Sequence, residues 1–434
     1  MTDSTPQSLS PEGSRRSIFC WCLYDWANTA FGTVIITFVF SVFFTRGMIG
    51  DETLGAAQWS FAIGLSGVFI AFFGPLMGAV ADHSGARKRW VFFLSLLCIV
   101  PTALLFFAQP DDTPSNVFFV LACVVVANIG FELGQVFYNA MLIHIAPPHM
   151  IGRISGWGWA MGYMGGLLAL ALCLFGLVGI GEIEPFLPVS GADSANIRAS
   201  GPLTALWFGV FAIPFFLFTH DVERSPLSFI QSFRAGWGQL VASAREIRTH
   251  RNILLFLIAS AVYRDGLVTL FAIGGVYAAG QFGMDFQEII IFAIGLNVAA
   301  GTGAFLFASL DDWFGSKPTA ILSLCGLILC GLSILFIADK ETFTWLAFAL
   351  GIFIGPVQAA SRTLAGRLAP PGMVTQTYGL YAFTGKSVSF LGPLAYGWAT
   401  VFFDNQQAGM MSIVVFWIAG LVLLSLVHEE KTAP

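Results

Sequence analysis

The sequence predicts an all-α membrane protein with twelve transmembrane helices, arranged as two pseudo-symmetric six-helix bundles. The composition, a series of long apolar segments and an internal repeat all point to this fold class. Of the 434 residues, 56% are hydrophobic and 10% are charged, and the mean hydropathy is +0.79. Soluble domains contain about 25% charged residues. We therefore expect the lipid bilayer, and not a nucleic acid, to be the macromolecular partner of this chain.

Twelve segments are apolar and long enough to cross a bilayer, which requires about 20 residues of α-helix. Their expected limits are 18–45, 59–81, 90–108, 116–145, 153–179, 202–220, 252–279, 285–310, 319–338, 342–367, 374–402 and 408–428. The corresponding organisation is an N-terminal tail at 1–17, a first bundle at 18–220, a linker at 221–251, a second bundle at 252–428 and a C-terminal tail at 429–434.

The positive charges are divided unequally between the two sides of this arrangement. Fourteen of the 20 Lys and Arg residues fall on the side that holds both termini, three fall on the other side, and three lie within spans. Positive residues favour cytoplasmic loops, so we expect both termini in the cytoplasm and the protein in a bacterial inner membrane. In the linker, arginines alternate with apolar residues, which favours an amphipathic helix on the membrane surface. A solvated linker is equally compatible with this pattern.

Three matches between the two halves indicate an internal repeat. Ala146-Pro147-Pro148 follows the fourth span and Ala369-Pro370-Pro371 follows the tenth, at a shift of 223 residues. The loops that contain Asp82 and Asp312 match at a shift of 230, and Asp25 matches Asp265 at a shift of 240. Three similar shifts in the same order predict two homologous six-helix halves.

The first span contains a single acid, Asp25, between Tyr24 and Asn28. A carboxylate within a bilayer costs a few kcal/mol on insertion scales, so it normally faces protein or water and has a functional role. The spacing of Tyr24, Asp25 and Asn28 places them on one side of a helix. The alternative is a structural acid that only ties neighbouring helices together.

The loop after the second span carries a second motif, Gly78-Ala-Val-Ala-Asp82-His-Ser-Gly85-Ala-Arg-Lys-Arg. It resembles the signature loop of the major facilitator superfamily, although its basic cluster starts one residue late and His83 replaces the usual Arg. The second half keeps a more degraded copy. The resemblance implies two parallel halves around a central cavity, and it assigns a cytoplasmic gate to Gly78, Asp82, Gly85, Arg87, Lys88, Arg89, Asp312, Gly315 and Lys317.

Two short stretches are similar to bacterial members of the vacuole-effluxer family, which are relatives of the yeast autophagy-related amino-acid exporter. They are the octet from Tyr24 to Phe31 and the segment Tyr263-Arg264-Asp265-Gly266 in the seventh span. This resemblance implies efflux of amino acids or similar small solutes. It also implies that spans one, four, seven and ten line the cavity.

Polar and charged residues are found in those spans and in the eleventh. The expected cavity residues are Tyr24, Asn28, Gln135, Asn139, Tyr263, Arg264, Thr269, Gln358, Ser361, Arg362, Tyr378, Tyr381 and Lys386. Three acids and three bases within the membrane suggest mutual pairing, which lowers the cost of their burial. A zwitterionic substrate could use the same charges. The candidate proton-coupling residues are Asp25 first, then Asp265 and Glu132; the alternative is that all these charges form purely structural ion pairs.

Several function classes are disfavoured. The sequence contains no GxxxxGK[ST] motif, which argues against ATP-driven transport, and its His and Cys residues lack metal-ligand spacing. We expect no cofactor, no metal and no enzymatic activity, with a monomer that binds a small-molecule substrate and uses protons as candidate coupling ions. The alternatives are an exporter of hydrophobic drugs or lipids and a non-transporting sensor built on a transporter fold.

Overall fold

A computed structural model of the protein describes residues 15–84, 87–179, 184–219, 221, 238, 251–284 and 286–428. Among these residues, eleven helical segments are long and apolar enough to span a membrane. The predicted surface helix in the linker lies outside the described residues, apart from residues 221, 238 and 251. Gly85 and most of both predicted tails also lie outside them.

The described helices agree with the predicted spans to within a few residues at most ends. They are α1 (Arg15–Ala30), α2 (Glu52–Ser84), α3 (Arg87–Leu104), α4 (Pro114–Ile145), α5 (Ile151–Cys173), α6 (Ser200–Phe218), α7 (Arg251–Phe282), α8 (Phe286–Phe314), α9 (Ser316–Ile334), α10 (Lys340–Arg367), α11 (Val374–Val388), α12 (Leu391–Phe403) and α13 (Gln406–Ser425).

The first span continues beyond α1 as wider, π-helical turns. These turns cover Phe31–Phe38 and Phe43–Met48, and they are separated by a short α-helical piece. Hydroxyl side chains compete for the backbone carbonyls here: Thr33 donates to Thr29 O and Thr37 donates to Gly32 O, at 3.1 and 2.9 Å. Such back-bonding distorts a helix, and π turns often accompany functional positions.

The prediction of one continuous helix over 374–402 is wrong. The segment forms two helices, α11 and α12, which are separated at Ser389 and Phe390. Pro393, the third residue of α12, explains the break, because it has no N–H to donate and its ring would clash with the carbonyl four residues earlier, that of Ser389. Together α11 and α12 occupy the place of the eleventh span.

The two halves repeat the same packing pattern. In the first half, α1 packs against α5 and α6, and α4 packs against α2 and α3. In the second half, α7 packs against α11 and α13, and α10 packs against α8 and α9. The halves meet each other through α2 on α11 and through α5 on α8. This is the pseudo-symmetric arrangement that the sequence repeat predicts.

Glycines allow the helices of the two halves to approach closely at both contacts. A Cβ atom at Gly379 of α11 would lie 2.5 Å from the carbonyl oxygen of Gly74 in α2. A Cβ atom at Gly156 of α5 would lie 2.5 Å from the Cβ of Ala308 in α8. Gly156 and Gly379 are related by the repeat shift of 223 residues. Small residues therefore bring the two halves together at equivalent positions.

Candidate functional site

An ion pair joins the two halves deep inside the protein. Arg362 of α10 donates from Nη1 to Oδ2 of Asp25 in α1 at 2.8 Å, and both side chains are more than nine-tenths buried. The helices place this pair on the side of the bundle where α1 begins and α13 ends, which we call the terminal face. Asp25 lies ten residues after the start of α1, and Arg362 lies five residues before the end of α10.

The remaining donors of the Arg362 guanidinium bind the first half as well. Nε donates to Ser155 Oγ at 3.0 Å, Nη2 donates to the Ser155 carbonyl at 2.5 Å, and Nη1 also reaches Asn139 Oδ1 at 3.4 Å. Its Cζ lies 4.9 Å from the centre of the Trp21 ring. A buried charge is tolerated only when it is paired and hydrogen-bonded, and this guanidinium meets both conditions.

The helices leave room for the pair because α5 carries glycine beside it. A Cβ atom at Gly158 would lie 2.7 Å from Asp25 Oδ2 and 2.8 Å from Arg362 Nη2. On the opposite side, Tyr378 of α11 donates from its hydroxyl to the Arg362 carbonyl at 2.8 Å. The position of the pair is therefore set by helices from both halves.

A second ion pair joins the halves near the middle of the fourth and eleventh spans. Lys386 Nζ of α11 lies 2.6 Å from Glu132 Oε1 of α4. The side chains are 30% and 24% exposed, respectively. Glu132 lies near the centre of α4 and Lys386 lies beside the break between α11 and α12. This pair differs from Asp25–Arg362 because part of each charged side chain is accessible.

Arg264 of α7 lies beside the same part of α11. Its Nη1 donates to the Tyr381 carbonyl at 3.1 Å, and its Cζ lies 4.0 Å from the centre of the Tyr381 ring. A Cβ atom at Gly385, next to Lys386, would lie 3.0 Å from Arg264 Nη1. Two bases and one acid are thus brought together around α11. Gln135 lies on α4, three residues after Glu132, and is half-buried.

Asp265, the third intramembrane acid, forms no ion pair with a base of the described residues. Its Oδ2 accepts a hydrogen bond from the backbone N–H of Gly392 in the first turn of α12, at 2.7 Å. Thr269 donates from Oγ1 to the Asp265 carbonyl at 2.7 Å. The expectation that three acids pair with three bases therefore holds for two acids only, because α12 places a helix N-terminus, and not a cation, beside Asp265.

Other predicted cavity residues have partners within one half. Tyr24 Oη lies 2.8 Å from Ser95 Oγ, so the structure does not bring Tyr24 to the Asp25 pair. Tyr263 Oη lies 2.6 Å from Ser361 Oγ within the second half. Asn28 lies on α1 and is buried, and its amide nitrogen has no hydrogen-bond partner among the described residues.

Gln358 connects the halves, since Tyr163 of α5 donates from its hydroxyl to Gln358 Oε1 at 2.5 Å. This contact lies one turn of α10 before Arg362 and adds to the polar contacts between α5 and α10.

At the terminal face, Asp82 has both of the contacts that the signature motif allows. It pairs with Arg87 Nη2 at 2.9 Å, and its two oxygens accept backbone hydrogen bonds from Thr375 and Gln376 at 3.0 and 2.9 Å. Thr375 and Gln376 form the first turn of α11, so Asp82 caps a helix of the other half. Gly78 makes this contact possible, because a Cβ atom there would lie 2.6 Å from the Thr375 carbonyl oxygen.

Asp312 repeats this arrangement in the opposite direction. Its Oδ1 accepts backbone hydrogen bonds from Gly152 and Arg153 at 2.8 and 3.2 Å, in the first turn of α5. Its Oδ2 lies 3.4 Å from Arg153 Nε. Each half thus uses the acid of its own signature loop to cap a helix of the other half, which closes the terminal face.

The other predicted gate residues contact groups of their own half or are exposed. Lys88 donates to the Thr219 carbonyl at 2.7 Å, Lys317 donates to the carbonyls of Ser425 and Val427 at 2.8 and 2.6 Å, and Arg89 is exposed. Gly315 has a φ of +100°, which forms the turn between α8 and α9 that an L-residue would strain.

A lateral groove of about 1460 Å³ runs between the halves on the side formed by α1, α5 and α8. Its walls are mainly apolar and include Phe19, Met164, Leu168 and Phe305. Its few polar residues include Asn297.

A protein-family model, described as "Vacuole effluxer Atg22 like", matches residues 48–434. The chain belongs to this family. The resemblance predicted from the sequence is therefore confirmed, and this Atg22-like protein is a transporter of the major facilitator type and not an enzyme. Its membrane-spanning helices make it an integral membrane protein.

Relatives of this Atg22-like transporter occur in bacteria and fungi. The MFS-type transporter YxiO of Bacillus subtilis (strain 168) is 27% identical over 419 residues, which is 95% of each chain. Autophagy-related protein 22-1 of Aspergillus fumigatus is 26% identical over 306 residues, which is 64% of this chain and 48% of that protein. The match thus spans about half the length of the fungal relative.

Solved structures show the same fold. The E. coli fucose:proton symporter FucP superposes with a TM-score of 0.73 at 13% identity, covering 96% of this chain and 98% of that one. The proton:xylose symporter XylE superposes with a TM-score of 0.71 at 14% identity, covering 95% and 96%. The Atg22-like transporter therefore has the major facilitator fold.

Sequence reasoning missed Ser155, which contributes to the contacts between the halves, and Asp311, which is ion-paired within the second half. Ser155 provides two of the acceptors around Arg362, but it lies in a glycine-rich stretch whose obvious role is helix packing. Asp311, beside Asp312, accepts from Ser316 Oγ at 2.8 Å and lies 3.2 Å from Arg367 Nη1. The adjacent acids at 311 and 312 were a signal that could have identified the second.

Proposed function

We propose that this protein is a secondary active transporter that exports a small zwitterionic, amino-acid-like solute from the cytoplasm by alternating access. In this proposal the protein acts as a monomer in a bacterial inner membrane, with the terminal face in the cytoplasm, and it is coupled to protons. The family description as an effluxer supports the direction.

The observation that carries the substrate class is the Glu132–Lys386 pair. It lies near mid-membrane, it comes from both halves, and both charged groups remain partly accessible. The ammonium group of a zwitterion can bind Glu132, and its carboxylate can bind Lys386 or Arg264. Such a ligand replaces one ion pair with two, so no charge is left uncompensated during binding. An uncharged sugar or a simple anion would leave at least one of these groups without a partner.

Alternating access then requires the contacts between the halves to break. At the terminal face, these contacts are the helix caps made by Asp82 and Asp312 and the buried pair Asp25–Arg362. They hold the terminal face closed in the present conformation. Opening toward the cytoplasm must separate all three, whereas the Glu132–Lys386 pair lies closer to the membrane centre. A ligand that binds both halves there can transmit its binding energy to this opening.

The test is a binding screen on the purified protein, using its thermal stability as the readout. A ligand that binds only the native state raises the melting temperature. We expect stabilisation by particular amino acids, and none by the matched amine that lacks the carboxylate or the matched acid that lacks the amine. Glu132→Gln and Lys386→Gln should each remove the stabilisation. Equal stabilisation by the amine or the acid alone would contradict the zwitterion site.

A second candidate is an exporter of amphiphilic compounds, which is favoured by the apolar groove of about 1460 Å³ between α1, α5 and α8. The groove is large enough for a lipid-like molecule and lies between the two halves. In the same screen, stabilisation by lipids or drugs that survives both substitutions, with none by amino acids, would favour this candidate.

A further inference from the structure

The carboxyl group of Asp265 is buried, and within the described ranges no cation neutralises it. The residue is 1% exposed, Oδ2 accepts from the Gly392 N–H at 2.7 Å, and Oδ1 has no hydrogen-bond partner among these residues. Asp265 lies near the middle of α7, where an ionised group without a counter-charge is costly. The available compensation is the N-terminus of α12, a helix of 13 residues whose dipole favours a negative charge.

Asp25 occupies the equivalent position in the first half, and its environment is different. The two acids are related by the shift of 240 residues, and in each half a threonine four positions later donates to the carbonyl of the acid at 2.7 Å. Asp25 faces the permanently charged Arg362 guanidinium at 2.8 Å. Asp265 instead accepts from a backbone N–H at the start of α12, and among the described residues no cation compensates its charge.

The charged and titratable groups around Asp265 have other partners. On α7, Arg264 binds Tyr381 and Tyr263 binds Ser361. On α11, Lys386 binds Glu132. Of the helices packed against α7, α12 carries the buried Tyr396, and α13 carries the non-titrating Trp417, which lies against Gly266. In the part of the chain that the structure describes, no Lys, Arg or His forms an ion pair with Asp265.

We propose that Asp265 binds and releases the coupling proton, and that its proton controls how firmly the N-terminus of α12 is held against α7. The proton passes from a hydronium ion of the surrounding water to Oδ1, so one O–H bond of the donor breaks as the O–H bond of Asp265 forms, and release of the proton reverses both changes. A charged acceptor makes hydrogen bonds about twice as strong as a neutral one, and the helix dipole acts only on the charge. Protonation therefore loosens the contact between Asp265 and Gly392.

The break in the eleventh span connects this site to the proposed substrate site. Lys386 lies near the end of α11 and Gly392 lies in the first turn of α12, so six positions separate the two sites across the break. Gly392 packs tightly on α7, since a Cβ atom there would meet Thr269 Oγ1 and lie 3.1 Å from Asp265 Oδ1. Movement of α12 away from α7 can thus shift the end of α11 that carries Lys386. This role rests on the proposed transport function.

The first test needs no substrate. Hydrogen–deuterium exchange of the peptide that contains Gly392 is measured in the purified protein at about pH 5 and about pH 8 and corrected for intrinsic exchange. In the wild type, corrected exchange at Gly392 should be about tenfold faster in the acidic buffer, because the hydrogen bond from the Gly392 N–H to the protonated Asp265 is weaker there. Asp265→Asn, which keeps an acceptor oxygen but cannot be ionised, should show the fast exchange at both pH values.

The matched control is Asp404→Asn, the same substitution at an exposed acid directly after α12. It should retain the ratio of exchange rates between the two buffers at Gly392. The proposal is overturned if the wild type shows no pH dependence at Gly392, if Asp265→Asn keeps the wild-type ratio, or if Asp404→Asn abolishes it. The wild-type measurement stands even if a variant fails to fold.

A second test uses proteoliposomes and an amino acid that stabilises the protein. Asp265→Asn should lose accumulation driven by a proton gradient while still exchanging the amino acid across the membrane. Uphill accumulation by this variant would refute the proposal. If no amino acid is transported by the wild type but the exchange result is as expected, the proposed substrate is wrong and the proton site stands.

Discussion

Asp25 and Arg362 belong to opposite halves of the transporter, and their carboxylate and guanidinium meet at 2.8 Å with almost no access to solvent. The pair joins the two halves on the terminal side of the proposed substrate site. Arg362 also binds Ser155, so a single side chain connects α10 to α1 and α5. In the proposed mechanism, opening at the terminal face must therefore move Arg362 away from Asp25 and Ser155 together.

The first prediction concerns this ion pair. Asp25→Asn leaves the Arg362 charge buried without a counter-charge, which typically costs about 3–5 kcal/mol. We expect a clear fall in the melting temperature of the purified protein. Asp25→Asn combined with Arg362→Gln should be less destabilising than the sum of the two single substitutions, because the double variant leaves no isolated charge. A double-variant effect equal to that sum would show that the two residues act independently.

The second prediction concerns Glu132 and Lys386. Each reversal alone, Glu132→Lys or Lys386→Glu, places like charges together and should weaken amino-acid binding at least about tenfold, which corresponds to about 1.4 kcal/mol. The double reversal restores an ion pair of opposite orientation, and we expect it to recover a measurable part of the affinity in a direct binding assay. Complete loss in the double variant, with normal folding, would mean that the pair does not act as a unit.

The third prediction concerns the caps at the terminal face. Asp82→Asn keeps an oxygen acceptor but loses the charge that attracts Arg87 and the N-terminus of α11. We expect slower transport per molecule with nearly unchanged ligand affinity, since the proposed substrate site is elsewhere. Asp312→Asn is the matched variant in the other half and should behave in the same way. A collapse of affinity with normal turnover per bound ligand would place Asp82 in the binding site instead.

The fourth prediction concerns orientation. Single cysteines at Ser190 and Thr342, in a cysteine-free background, should react with an impermeant thiol reagent added to intact cells. Cysteines at His149 and Pro371, which are exposed on the terminal face, should react only after the membrane is opened. The measurement is the labelled fraction of each variant. Labelling of position 149 or 371 from outside would reverse the proposed orientation.

The sequence was sufficient for most of the helices, for the repeat and for the contacts of Asp82. Hydropathy is a local and additive property, so the spans could be located residue by residue. The repeat is visible because both halves descend from one pattern, as Gly156 and Gly379 illustrate. The acid of the signature loop, Asp82, could be assigned a basic partner or a helix cap, and the structure contains both contacts.

The break in the eleventh span could also be predicted in part from the sequence. Gly392-Pro393 is a dipeptide that commonly marks a turn or break, and the proline explains where α11 stops. What the dipeptide does not reveal is the group that satisfies the freed N–H of Gly392. That group is Asp265, which lies 127 residues earlier in the chain.

Only the tertiary structure decided which partner each charge has. Asp25 and Asp265 have equivalent positions in the repeat, yet one meets an arginine 337 residues away and the other meets a helix N-terminus. Helical spacing assigns a residue to a face, and each face is broad enough to contact several helices. The choice among them depends on how the two halves pack, and that packing is set by many small contacts over the whole interface, which no short stretch of sequence contains.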